Sequence, residues 1–228
     1  VAARRQKRIL VPTSGVGSWK GLLGDPDLHW KAGRSAKLVA DLWEGSGGLP
    51  ESVVSLLSGG GIVAPELLIA VPEWVTAPPD GLRGSQSDVF ALLKHDQGIA
   101  ALVVEAKVNE TFGPTVGEWL SSESAARPRR LHDFITIIGA GSPPPPQVRY
   151  QLIHRTASAC IEAKRFNAHA AAMIVQSFSN QRAGFNDFVD FLRWLGVNDV
   201  RPDRLFEIPV ESAAPLYAGW ISEGGGDD

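Results

Sequence analysis

Cysteine is nearly missing from this chain. Cys160 stands alone among 228 residues, which excludes an internal disulfide and any thiol-rich zinc cluster. A reducing, cytoplasmic compartment is the expected home. Long apolar runs are missing too: no stretch reaches the roughly 18 residues a membrane-spanning helix needs, so no membrane span is expected. Residues 1–9 are basic but have no long apolar region behind them, so no signal peptide is expected either. The sequence opens on Val1 and not on Met, so its Arg4-Arg5-Gln6-Lys7-Arg8 cluster carries no weight.

Charge of one sign is not in excess. Twenty-two Lys and Arg face 25 Asp and Glu, a formal net charge of −3, which rules out a protein coated with basic residues and leaves only local positive surface. Such surface is present at Arg127, Arg129 and Arg130, and again at Arg149, Arg155, Lys164 and Arg165. It can serve phosphate contacts or simply be a solvated helix face. The histidines His29, His95, His132, His154 and His169 lack zinc-ligand spacing. Ser14-Gly15-Val16-Gly17-Ser18 lacks the lysine of a phosphate-binding loop, and no strand runs through a GxGxxG turn into a helix. Nucleotide-cofactor chemistry therefore has no support, and there is no internal repeat.

What is present is ordinary globular composition, 44% hydrophobic and 21% charged, enough for one domain with a substantial core. Residues 1–223 are expected to form that domain, with a core over about 34–178, C-terminal decoration over 179–223 and a disordered tail at 224–228. Helical spacing of Ala36, Leu38, Val39, Leu42 and Trp43 predicts a helix over 34–43, closed by Gly45 to Gly48. A second helix is expected over 50–57. Residues 67–75 read as a strand whose Pro72 demands an edge or a bulge, ending in Pro78-Pro79-Asp80-Gly81. Residues 87–94 and 99–108 are apolar strands joined by His95-Asp96-Gln97-Gly98, a hairpin connection with glycine in the loop. Helices are expected over 115–122, 129–138, 147–166 and 185–195. The proline-rich loop 139–146 is a stiff spacer, and strands are expected over 170–178, 205–210 and 216–221.

One pattern carries chemistry. Glu105 and Lys107 lie two apart in an apolar strand, so both project from the same face. If the hairpin is symmetric about the Asp96–Gln97 bond, Asp88 lies opposite Glu105 on that face, with Cβ atoms about 4.5–5.5 Å apart. Two carboxylates so placed in a buried strand pair are strongly unfavourable unless a cation or a proton neutralises them. Oxygen ligands of this kind suit Mg²⁺, and Lys107 beside them can position water or stabilise charge on a phosphate. A plain salt bridge at a sheet end is the structural alternative.

Ser87-Asp88-Val89-Phe90, then Val104-Glu105-Ala106-Lys107 after a hairpin, then a helix carrying Gln151-x-x-x-Arg155, resembles the PD-(D/E)XK nuclease superfamily. The order helix, three-stranded meander, helix, strand is similar to its core. Longer phrases, Glu105-Ala106-Lys107-Val108-Asn109-Glu110-Thr111-Phe112-Gly113 and Arg149-Tyr150-Gln151-Leu152-Ile153-His154-Arg155, resemble an uncharacterised bacterial branch. The resemblance covers about residues 34–178 and implies a restriction-endonuclease-like α/β fold, a central mixed sheet flanked by helices. It also implies Mg²⁺ or Mn²⁺ held by Asp88, Glu105 and the backbone carbonyl of Ala106, with Lys107 as catalytic lysine. Gln151 and Arg155, one turn apart on a helix face, would orient the site or touch phosphate. For the acid that the superfamily draws from its first helix, Glu44 is the first choice and Glu73 the second. Asp88 follows Ser87 where the eponymous motif has proline. His154 is expected on the helix surface.

The expected activity is metal-dependent phosphodiester hydrolysis, with DNA the expected partner. The alternative is a nuclease-fold module that binds nucleic acid or protein without turnover. DNA against RNA, strand number, endo- against exonuclease action and a homodimer all stay open.

Overall fold

The apolar runs become strands of one sheet in the computed structural model, which describes residues 12–78, 81, 84–121 and 124–223. The basic stretch at residues 1–9, the middle of the turn after residue 78 and the expected tail at 224–228 lie outside the described residues. The sheet is six-stranded, in the order β1-β2-β3-β4-β6-β5. Its strands are β1 (Glu66–Thr76), β2 (Ser85–His95), β3 (Gly98–Lys107), β4 (Ala170–Ser177), β5 (Arg204–Glu207) and β6 (Leu216–Ser222). The first three form an antiparallel meander; β3, β4 and β6 are parallel, and β5 returns antiparallel to β6.

The β2–β3 hairpin holds the register that the symmetric turn predicts. Phe90 pairs with Val103 and Val89 with Val104, and His95 closes on Gly98 around Asp96-Gln97. Gly98 sits at φ 133°, and a Cβ there would lie 2.2 Å from the His169 ring, so only glycine fits this corner. β1 is an edge strand, as Pro72 requires, and its pairing shifts between Leu67 and Ile69.

Helices cover both faces because the central strands are apolar on both. Every residue of β4 is buried. On one face α2 (Ser35–Gly45) and α3 (Glu51–Gly59) pack through Val39, Ala40, Trp43, Val53 and Leu57 onto Ala100, Leu102, Val104 and Ala106. On the other lie α5 (Ala126–Ile138), α6 (Tyr150–Arg165) and α7 (Phe185–Trp194), against Ala101, Val103, Met173 and Trp220. Between β3 and α5 stands the short α4 (Val116–Leu120), started by a capping box in which Thr115 and Glu118 satisfy each other's backbone amides. Trp74 donates to Glu162 at 3.0 Å and so ties β1 to α6.

Two differences from expectation concern the chain ends. A 3₁₀ helix at Val16–Leu22 and the short α1 (Pro26–His29) precede α2; neither carries enough periodic apolar residues to be read from sequence. The segment after residue 178, expected as decoration, supplies two strands of the same sheet. β6 lies between β4 and β5, and its Trp220 is fully buried. Among the described residues no helix is long and apolar enough to cross a membrane.

Candidate functional site

The parallel strands β3 and β4 end together at Lys107 and Ser177, and the antiparallel β2 begins beside them. Side chains from the start of β2, the end of β1 and the end of β3 therefore meet at one end of the sheet, under α6. The odd-numbered residues of β3 face α6, since Ala101 and Val103 belong to that core. Glu105 and Lys107 continue the same face at its rim, only 3% and 7% exposed.

Glu105 is the hub. Its Oε1 accepts from Lys107 Nζ at 2.7 Å and from Gln151 Nε2 at 2.6 Å, while Oε2 accepts from Arg155 Nε at 2.5 Å. Gln151 and Arg155 sit one turn apart on α6, which lets one helix face deliver both donors. Burial alone would push the Glu105 carboxyl up, but the Arg155 guanidinium and the Lys107 ammonium outweigh it and hold the pKa at about 2. Glu105 is therefore an anion at neutral pH in a nearly dry site.

Asp88 lies one step beyond the last paired residues of the hairpin. Its Oδ2 accepts from the Ala106 amide at 2.7 Å. Burial, then the charge of Glu105, raises its pKa to about 7. Glu73 completes an acidic group: its pKa is pushed up to about 8 by burial first and by Asp88 second, and its Oε2 accepts from Gln86 Nε2 at 2.8 Å. It is a non-glycine residue at φ 53°, a conformation that costs energy and is found where function or packing demands it.

Of the expected site residues, the fold brings together Asp88, Glu105, Lys107, Gln151 and Arg155, with the Ala106 backbone alongside through its amide. Glu73, the second choice for the remaining acid, joins them. Glu44, the first choice, does not: at the end of α2 it accepts from Trp19 Nε1 at 2.7 Å and from Thr13 Oγ1 at 2.6 Å, and it is not among the charges that act on Asp88 or Glu105. Helix α2 packs on the other face of the central strands, and Glu44 meets Glu73 only across a cavity that both of them line.

His154 also departs from expectation. It is only partly exposed, with Nδ1 2.8 Å from Ser85 Oγ and 3.3 Å from Arg155 Nη1, and burial beside Arg155 lowers its pKa well below the usual histidine value. Ser85, Gln86 and His154 are the site neighbours that sequence reasoning missed. Their position beside the Asp88 strand and the Gln151–Arg155 helix was the only signal available. Among the basic residues expected to contact phosphate, Arg165 is bound to Glu162 and Arg127 donates to the Trp119 carbonyl.

Glu73, Asp88 and Glu105 act on one another electrostatically, and carboxylate oxygens are the donors that a hard divalent cation takes. The observed side-chain positions point another way: both Glu105 oxygens are occupied by N–H donors, and among the described residues no group of three or more His, Cys, Asp or Glu side chains is arranged to hold a metal ion. Accepting a cation thus requires Lys107 or Arg155 to draw back from Glu105.

A family model described as "Domain of unknown function (DUF6946)" matches residues 12–224. No curated protein and no solved structure matches the chain.

Proposed function

The chain belongs to the DUF6946 family, and from the geometry of its site we propose that it is a metal-dependent nuclease-like protein of PD-(D/E)XK type, hydrolysing phosphodiester bonds with DNA as the favoured substrate. The finer fold assignment is part of the same proposal: α2, the β1–β2–β3 meander, α6 and β4 would form a restriction-endonuclease-like core. The observation that carries it is the crowding of Glu73, Asp88 and Glu105 with Lys107 at the end of β3. Buried acids with pKa values driven apart mark a site built for something other than stability.

Asp88 and Glu105, with the Ala106 carbonyl and Glu73 as a further oxygen donor, are the residues that would hold Mg²⁺ or Mn²⁺. Such an ion supplies Lewis-acid stabilisation to a phosphate oxygen and makes water more acidic. Lys107 places a positive charge 2.7 Å from Glu105, where it can orient a water or stabilise charge growing on phosphate. Gln151 and Arg155 fix the Glu105 carboxylate, and Arg155 brings a charge of the right sign for a nucleic-acid backbone.

The test is cleavage of a mixed panel of DNA and RNA with Mg²⁺, Mn²⁺ or EDTA. Lys107→Met is expected to slow metal-dependent cleavage by about 10²–10⁴-fold while the protein stays folded. Unchanged cleavage in that variant would remove Lys107 from the chemistry. A second reading, a nuclease-fold module that binds without turnover, is favoured by the complete occupation of Glu105 by protein donors. Salt-sensitive DNA binding that survives Glu105→Gln, with no cleavage under any metal, would establish it.

A further inference from the structure

Beside the acids, and separate from them, lies a cavity of about 390 Å³ whose polar lining is Ser85, Gln86, Gln151, His154 and Arg155. Its remaining lining, Val75 and Gly84, is uncharged, so among the described residues no acid lines it; Glu73 lies behind Gln86, and Glu105 behind Gln151 and Arg155. Its donors are prearranged. Arg155 can only donate; its Nη1 donates to Ser85 Oγ at 2.6 Å and lies 3.3 Å from His154 Nδ1. Because Arg155 can only donate, the Nδ1 it faces is an acceptor, and Ser85 Oγ at 2.8 Å is then its donor. With Nδ1 accepting, the imidazole proton sits on Nε2, which has no protein partner among the described residues. The Nη2 amino group of Arg155 likewise has none. Of the charges that act on His154, Arg155 is the strongest, then Glu105, then Arg130 and Lys107, so three cations face it against one acid.

A pocket lined by one guanidinium, two carboxamides, a hydroxyl and an N–H of imidazole, without a carboxylate, is built for an anion rich in acceptor oxygens. Its volume is near the bottom of the roughly 300–1,000 Å³ range of ligand sites, room for about one nucleotide. A terminal phosphomonoester carries close to two negative charges and three strong acceptors, whereas an internal diester carries one charge and continues in both directions. We propose that this cavity seats the terminal phosphate of a nucleic-acid strand, so that the neighbouring acids work at strand ends. The proposal deepens the phosphodiester reading and rests on it for the identity of the ligand, while its test needs no cleavage.

Binding is measured by fluorescence anisotropy in EDTA, using one oligonucleotide sequence with a 5′-phosphate, with a 3′-phosphate, with hydroxyl ends, and as a closed circle. Wild type is expected to bind one phosphorylated form about tenfold more tightly than the hydroxyl-ended or circular forms, and the two phosphorylated arms identify which end is read. Ser85→Ala and His154→Gln should each erase most of that difference. Inorganic phosphate should compete with the phosphorylated form and not with the hydroxyl-ended one, a readout on wild type that stands even where a variant fails to fold. Equal affinity for all four forms would overturn the pocket, as would a preference that survives in folded variants. Absence of cleavage in the substrate panel, with the preference intact, would instead sink the hydrolytic reading alone.

Discussion

Glu105→Ala is expected to destabilise the protein by about 3–5 kcal/mol, a fall of roughly 6–20 °C in Tm for a chain of this size, besides abolishing any activity at the site. The cause is not lost packing. Glu105 is the shared counter-ion of Lys107 and Arg155, which are themselves only 7% and 8% exposed. Removing the carboxylate leaves two cations facing each other in a site with little water, and their desolvation is no longer offset. Lys107→Met should cost much less, because Arg155 still pairs with Glu105. The double variant Glu105→Ala, Lys107→Met should recover part of the loss, since only one unpaired cation remains. Thermal melting of the three variants measures this coupling directly. Equal destabilisation by the single and double variants would show that the three charges do not act as a unit.

Stability should also fall as pH rises through neutrality when no divalent cation is present. Asp88 and Glu73 have folded-state pKa values raised from 3.8 and 4.5 to about 7 and about 8, so the native state binds more protons than the unfolded chain. That contribution is full below about pH 4, declines as pH rises and is gone once pH passes the folded pKa values. Glu105 acts oppositely: its carboxyl, lowered to about 2, contributes stability above about pH 4.5 that is lost in strong acid. Between about pH 5 and pH 8 the two raised acids should therefore cost several kcal/mol, and the melting temperature should fall accordingly. Asp88→Asn, which carries no charge to bury, should flatten the profile. A melting temperature that rises from pH 5 to pH 8 in EDTA would contradict the protonation states assigned to both acids.

The pairing of Asp88, Glu105 and Lys107 on one face was legible in the sequence because strand alternation and a two-residue turn leave few choices. Gly98 closes the hairpin, and every step from His95 to Val89 keeps the predicted register. The Gln151–Arg155 face was legible for a similar reason, as residues one turn apart on a helix point together. Glu73 was harder. It follows Pro72 in an edge strand and takes φ 53°, so the alternation that places its neighbours does not place it. Glu44, at the end of α2, is engaged by Trp19 and Thr13 and meets Glu73 across the cavity they both line, a relation that no local spacing shows. His154 read as a surface residue because helical periodicity does not reveal that the start of β2 lies over it; only the long-range contact with Ser85 does so. The strand at residues 216–221 was visible as a strand, yet its place between β4 and β5 depends on tertiary packing that no local pattern encodes.

The proposed cation site at Glu73, Asp88 and Glu105 is open to direct measurement. Calorimetric titration of Mn²⁺ near neutral pH, in two buffers of different ionisation enthalpy, tests it most directly. Saturable binding by wild type is expected, with net release of protons from the raised acids, and loss of that binding in Asp88→Asn and Glu105→Gln variants that remain folded. No binding by wild type, or binding without proton release that both variants retain, would contradict it.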